Sequence, residues 1–326
     1  MRMKKSKSLF VISLDCELFW GIRDKISLNE YKNNLSGTKE AVNKILTLFD
    51  RYNIHATWAT VGFLYAKDKK ELQKLFPKKI PNYTNNSLNP YIYIKNSTLD
   101  SKYHFAPEII NKIQKYPNQE IATHTLSHYY CTQKGQTINE FESDLDMAIK
   151  VAKSRGIDTK TLVFPRDEWQ EEYLDILSRY GIECYRGNIT PWLYKATNGE
   201  DEKLYRRALR LLDSYINISG YNSYRLDSIS PKKPYNIPSS IFLRPFSKKL
   251  RIFEGLKKSR IKKAMEYAAI NGEILHLWWH PHNFGTYTKE NIKLLEDILV
   301  MYQELNHKYK MESLNMAEVA KMVQDE

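Results

Sequence analysis

Short apolar runs alternate with amphipathic stretches along nearly the whole chain. Residues 8–14 form one such run and read as a buried strand. Residues 38–52 set Ala41, Ile45, Leu48, Phe49 and Tyr52 at a helical period. A second strand is expected at 54–60, with a helix behind it to about Leu75. Residues 77–104 are rich in Pro, Asn, Tyr and Ser, lack a period, and read as a long loop or lid. The alternation then resumes with helix 106–116, strand 119–123 and helix 138–154, the last opened by the capping box Thr137-x-x-Glu140. Strand 160–164, helix 169–180 and strand 182–186 follow. Residues 188–250 break the pattern and hold one expected helix, 201–216, so they read as an elaborated connection within the same domain. Helix 256–271, strand 273–279, helix 288–307 and a closing helix capped by Asn315-x-x-Glu318 complete the chain. Strands alternating with helices predict a parallel β/α architecture, a barrel or a doubly wound sheet.

Composition narrows the class. The chain has 326 residues, 42% apolar and 27% charged, with 12 Gly and 12 Pro, which excludes a disordered or collagen-like chain. Cys16, Cys131 and Cys184 are too dispersed for a disulfide framework and fit a reducing compartment. The basic start, Met1 to Lys7, is followed by an apolar run that Asp15 and Glu17 interrupt, too short for a signal segment or a membrane span. A soluble, cytoplasmic protein without an integral membrane segment is expected. The net charge of +12 comes from lysines scattered along the chain, and no nucleic-acid module accompanies them, so no nucleic-acid partner is expected. Neither Gly-x-Gly-x-x-Gly nor a P-loop occurs.

Functional residues of parallel β/α folds gather at the carboxyl ends of strands, and four polar clusters fall there. They are Ser13-Leu-Asp15-Cys-Glu17, Thr123-His124-Thr-Leu-Ser-His128, Phe164-Pro-Arg166-Asp-Glu168-Trp169, and His276-Leu-Trp-Trp-His280-Pro-His282-Asn283. The His124-x-x-x-His128 spacing puts two imidazoles on one face of a helical turn, where they can share a divalent ion. Asp15 and Glu17, two apart, point to one face of an extended backbone, so one can bind metal while the other stays free as a base. Cys16 between them reads as a small residue facing the core, with a soft metal ligand as the alternative.

Taken together the clusters resemble the polysaccharide deacetylase family, the NodB-homology carbohydrate esterases. The second cluster matches the family's His-Ser/Thr-x-x-His motif in full; Ala56-Thr-Trp-Ala-Thr-Val-Gly62 is similar to its Ala-Thr-Phe-Phe-x-x-Gly strand; Leu277-Trp-Trp-His280 stands for its Leu-x-His. The first motif departs from the usual adjacent Asp pair and resembles an acid-x-acid branch, and the third is altered to Phe164-Pro-Arg166-Asp-Glu168. The resemblance implies a single-domain distorted (β/α) barrel over residues 1–326, with inserts near 77–104 and 188–250. It also implies a metal-dependent hydrolase removing an acyl group from an amino sugar or glycan, in a subgroup resembling surface-polysaccharide (capsule or O-antigen) biosynthesis.

By the same resemblance Asp15 is the base, Glu17, His124 and His128 hold one divalent metal, and Arg166 orients Asp15. Zinc is the first expectation, with cobalt, nickel, iron and manganese as alternatives. His280 is the first choice for the acid and His282 the second, whereas His276 reads as buried structure. Trp169, Trp192, Arg186 and His282 are candidate substrate contacts, and Arg244 shares with Arg186 the chemistry to bind an acidic sugar or diphosphate. A small-amide hydrolase of the same fold, similar to allantoinase, and an inactive glycan-binding scaffold are the competing readings.

Overall fold

The computed structural model describes residues 7–195 and 203–325; most of the basic start, residues 1–6, and the first two residues of the expected 201–216 helix lie outside them. Among the described residues nine strands form one sheet: β1 (Leu9–Cys16), β2 (Ala56–Thr60), β3 (Gln119–Thr123), β4 (Thr161–Leu162), β5 (Cys184–Gly187), β6 (Tyr235–Pro238), β7 (Ile241–Phe242), β8 (Ile274–Trp279) and β9 (Glu312–Leu314). Their order is β6-β5-β4-β3-β2-β1-β8-β7, and every pairing along it is parallel. β9 pairs with Leu9–Val11 of β1, below the Ile12↔Ala56 start of the β1–β2 ladder.

The sheet curls into a distorted barrel because residues 235–242 join its two edges. The first half of that segment pairs with β5 and the second with β8, and Ser239 and Ser240 donate their N–H groups to Gly187 and His276 across the join. Residues 188–250 are therefore more than the connection expected: they supply two strands of the barrel. Among them the helix is Leu204–Asp213.

Period-two alternation in β1 separates two cores. Phe10, Ile12, Leu14 and Cys16 pack outward with the surrounding helices, including Leu28–Arg51, which begins ten residues before the helix expected from periodicity. Its capping box is Ser27 with Glu30. Leu9 and Val11 face inward and meet Ile237, Ile274 and the closing helix Met316–Asp325, which plugs the lower end of the barrel. That helix is capped as expected, Asn315 N–H donating to Glu318 and Glu318 N–H to the Asn315 side chain. Continuing up the same inward face come Ser13 and Asp15, so the interior turns from apolar to polar toward the carboxyl ends.

Residues 77–104 are packed structure rather than a lid. They form a turn at Asn86–Leu88 and helices Pro90–Asn96 and Ser101–His104, bury Leu88, Tyr91 and Ile94, and line no part of the cavity described below. Arg23 fastens them by donating to the Ser87 and Leu88 carbonyls.

The turn Pro281–Gly285, after β8, is seated against the Leu28–Arg51 helix by two glycines. A Cβ on Gly37 would lie 2.0 Å from the Gly285 carbonyl oxygen, and one on Gly285 would lie 1.8 Å from that of Asn34. Both obstacles are backbone, so neither can swing aside. Gly285→Ala is expected to destabilise the fold by about 1–3 kcal/mol, the usual range for overpacking. Thermal melting by circular dichroism checks this, and an unchanged Tm would show that the contact yields freely.

Candidate metal centre and active site

The upper end of the barrel opens into a cavity of about 490 Å³, at whose wall Asp15, Glu17, His124, His128, His280 and His282 meet. Six residues from three of the four sequence clusters thus converge. Asp15, Glu17, His124, His128 and His282 are buried, whereas the His280 side chain keeps 23% of its surface exposed.

His124 and His128 lie on an irregular loop after β3 and not on the helical turn their spacing suggested. Thr125 and His128 both adopt positive φ (63° and 58°), which breaks any helical register. Tertiary bonds hold the loop. Gly62 and Phe63 donate their N–H groups to the carbonyls of Thr125 and Leu126, and Asp144 accepts from Leu126 N–H (2.7 Å) and from the Ser127 hydroxyl. Burial pushes the Asp144 carboxyl up to about 7, against the pull of those donors. No motif pointed to Asp144; its place on the inner side of helix Ile138–Ser154 gives it this role.

The centre fits a metal ion. Glu17, His124 and His128 present one ligand atom each, all within 4.8 Å of one another, and all three residues are buried. His124 Nδ1 lies 2.8 Å from the Val163 carbonyl, so Nδ1 donates and Nε2 keeps its lone pair. That Nε2 is buried without a hydrogen-bond partner, 3.4 Å from Glu17 Oε2, while His128 Nε2 is 3.0 Å from the same oxygen. Among the described residues no Lys or Arg pairs with Glu17; its ion-pair partners are His124, His128, His280 and His282. Gly21 makes room for the carboxylate, since a Cβ there would sit 2.0 Å from Glu17 Cδ. Burial would raise the Glu17 carboxyl, but the imidazoles hold it well below the usual range. Burial takes His128 down to about 4 and His282 to about 3, while Glu17 and Asp15 outweigh burial at His124 and raise it. Cys16 faces the outer core, its thiol pushed up to about 12 by burial, and is no ligand.

Asp15 is gripped by Arg186, not Arg166. Arg186 Nη1 and Nη2 donate to Asp15 Oδ1 and Oδ2 at 2.7 and 2.8 Å, Nη2 reaches Asp167 at 3.1 Å, and the guanidinium lies 4.2 Å over the Trp278 ring. Burial would raise the Asp15 carboxyl, but Arg186, with His124 and His280, holds it below its ordinary value. Arg166 pairs instead with Asp24 and lies 3.9 Å over the Tyr130 ring. Residues 166 and 167 both take positive φ (59° and 55°) in a single turn, and Arg166 ends at the cavity wall against Asp24, while Arg186 lies on β5 inside the barrel. Arg186 does line the cavity, with its guanidinium buried and bonded to two carboxylates.

His280 Nε2 stands 3.8 Å from Asp15 Oδ2 and 3.5 Å from Glu17 Oε1. Tyr31 OH donates to Asn283 Oδ1 at 2.8 Å, which turns the Asn283 amide NH₂ toward His280 Nδ1, 3.4 Å away. No motif points to Tyr31, which joins the site through this hydrogen bond. His282 lines the same wall, buried, with Nε2 3.9 Å from Glu17 Oε1. His276 bonds Ser13 Oγ at 2.8 Å inside the barrel, as a structural histidine should.

The two tryptophans fall elsewhere. Trp169 packs on Phe164 and Tyr185 (ring centroids 6.3 and 5.0 Å), because the apolar layer between β4, β5 and helix Glu171–Arg179 takes its ring. Trp192 is 62% exposed and outside the cavity lining, which takes Tyr194 and Lys195 from the same turn. Arg244 does line the cavity, donating from Nε to Ser214 Oγ at 2.9 Å.

Replacing His128 by Ala removes a ligand, and Asp144→Ala frees the loop that carries it. The second change is expected to weaken divalent-metal affinity about 10–100-fold, as outer-shell changes do, and the first by more. Equilibrium dialysis against zinc checks both, with circular dichroism confirming the fold. Wild-type affinity in His128→Ala would remove this trio as the metal centre.

Residues 36–185 match the sequence model for polysaccharide deacetylase, a stretch that contains both loop histidines. No curated protein matches the chain in sequence. Among solved structures it is similar to a protein assigned as a polysaccharide deacetylase from Mycobacterium smegmatis (12% identity, 100% of this chain and 93% of the other, TM-score 0.62). Another so assigned, from Pseudomonas aeruginosa PAO1, gives 13% identity, 98% and 91% coverage, and a TM-score of 0.56. An allantoinase gives 12%, 98% and 91%, and 0.57. At such identities the likeness is one of fold. The sequence model thus matches residues 36–185, a little under half of the chain, and the solved structures share the fold of the whole.

Proposed function

We propose that the protein is a metal-dependent amide hydrolase that removes an acyl group from an acylated amino sugar, either free, within a glycan, or in a precursor of surface polysaccharide. The observation that carries this reading is the buried Glu17–His124–His128 trio with Asp15 and His280 beside it at the wall of one cavity. Its volume, about 490 Å³, lies in the range of small-molecule sites and suits a sugar-sized ligand.

Glu17, His124 and His128 would hold the ion. Bound there, a divalent cation supplies Lewis-acid chemistry, polarising the acyl carbonyl and acidifying water. Asp15 takes the proton of the attacking water: Arg186 occupies one lone pair on each carboxylate oxygen and leaves the other free. Arg186 also keeps Asp15 ionised and fixed in orientation. His280, the imidazole open to the cavity, carries its proton on Nε2 when Asn283 donates to Nδ1, and it delivers that proton to the departing amine. His282 is buried beside Glu17 and serves as wall.

The reading is tested by acetate release from N-acetylated oligosaccharides and nucleotide-linked N-acetyl sugars, with the protein saturated with zinc. Absence of acyl release from every such substrate would overturn it. Within it, Asp15→Asn and His280→Ala are each expected to keep metal and lose about 10²–10⁴-fold in kcat, as acid–base groups do. Glu17→Gln is expected to lose metal, with partial recovery in excess zinc. If His282→Ala failed and His280→Ala did not, the acid would be His282. Arg186→Met should lower kcat with metal retained, and Arg166→Met should leave Asp15 in place.

A further inference from the structure

Helix Leu204–Asp213 is turned inside out. Its buried positions are Arg206 and Asp213, while Leu204 (78%), Tyr205 (53%) and Leu212 (49%) are exposed. Polar bonds, not apolar packing, fix it to the body. The Arg206 guanidinium donates to the carbonyls of Trp192, Leu193 and Lys195, and Asp213 accepts from Tyr194 OH at 2.6 Å and pairs with Arg260 at 3.5 Å. A soluble domain ordinarily buries the apolar stripe of such a helix. Here the inward face lines the cavity through Arg210, Asp213 and Ser214, and the stripe faces outward.

The apolar surface continues past the helix. Ile216 (57%) and Ile218 (50%) follow it, and Tyr215 sets its ring edge against Phe253, centroids 6.1 Å apart. Phe253 belongs to the turn Lys248–Phe253, which buries none of its residues and exposes Ile252 to 77%. Interleaved with these side chains are exposed Lys203, Arg207, Lys248, Lys249 and Arg251. Residues 203–218 and 248–253 contain one acid, Asp213, and it is buried; of the acids that adjoin them in sequence, Glu254 is half-buried and pairs with Lys257 at 2.7 Å, and Glu200, Asp201 and Glu202 lie outside the described residues. Lysines that look scattered along the sequence are thus gathered here with apolar neighbours and, among the described residues of these two segments, no exposed carboxylate.

Exposed apolar side chains interleaved with cations, with no exposed acid among the described residues of these segments, match the interface of an anionic bilayer, where the apolar groups enter the headgroup boundary and the cations meet the lipid charge. No described helix is long and apolar enough to cross a membrane, so the contact is peripheral. We propose that this face docks the protein on an anionic lipid surface, with the cavity wall formed by helix Leu204–Asp213 at the membrane side. The docking stands apart from the hydrolase reading, since it is measured without substrate.

The full chain is co-sedimented with vesicles of phosphatidylglycerol mixed with phosphatidylcholine, and with vesicles of phosphatidylcholine alone. Binding is expected to the first, to weaken with added salt, and to be far weaker to the second. The double variant Leu212→Ser with Ile252→Ser should lose roughly tenfold or more in partitioning, whereas Ile92→Ser, an exposed change on another helix, should lose none. Circular dichroism verifies that the variants fold. Failure to bind the anionic vesicles, or equal binding by the double variant, overturns the proposal. So does a dimer in sedimentation velocity that the double variant splits while vesicles are ignored, which would make a second copy the occupant.

Discussion

Arg186 sits fully buried at the centre of the barrel and joins three parts of it. Its guanidinium ties β5 to Ser13 and Asp15 of β1 and to Asp167 of the loop after β4, and Trp278 of β8 covers its face. A buried guanidinium is tolerated only where carboxylates and hydrogen bonds replace water, and removing a partner from such a pair typically costs about 3–5 kcal/mol. The cation therefore obliges Asp15 and Asp167 to converge on it. Two carboxylates in one apolar barrel would otherwise repel and take up protons; the effect of Arg186 on Asp15 runs the other way, keeping it ionised. The polar upper half of the barrel depends on this pairing, and the apolar plug of Leu9, Val11, Ile274 and Met316 lies beneath it.

The site above it is built largely from loops held by outside partners. Leu18, Thr125, His128, Arg166 and Asp167 all take positive φ without being glycine, a conformation that side chains disfavour. The surrounding structure over-determines these positions: Asp144 and the Gly62 turn clamp the histidine loop, and Tyr31 with Asn283 sets His280. Irregular backbone clamped at several points lets Glu17, His124 and His128, from two chain segments, meet at one wall of the cavity with Asp15 and His280, which regular helix or strand would not.

The insert at 188–250 does two jobs that follow from one piece of packing. Its strands join the edges of the sheet, and its helix is anchored through charged groups because the side it turns inward borders a polar cavity. A helix so anchored has no apolar core to pack on, so its apolar stripe is left on the outside. The same constraint that gives the cavity a polar wall therefore produces the exposed surface proposed to meet lipid.

How much of this was legible beforehand divides cleanly by physical range. Apolar periodicity marked the barrel strands from β1 through β5 and β8, and the long helices. Local capping chemistry marked the starts of Ile138–Ser154 and Met316–Asp325, because those signals act over a few residues. The clusters holding Asp15, Glu17, His124, His128 and His280 were readable because the carboxyl ends of parallel strands collect chemistry on one side of the sheet. Tertiary structure alone decided which arginine holds Asp15: the resemblance implied Arg166, and Arg186 takes the place because it is the one that faces the barrel interior. It also decided that His124 and His128 meet on a strained loop and not a helical turn, that Asp144 and Tyr31 support the site, and that Trp169 and Trp192 lie away from it. Each of these depends on contacts between residues tens to hundreds of positions apart, and no local pattern encodes where a distant backbone will bring its side chains.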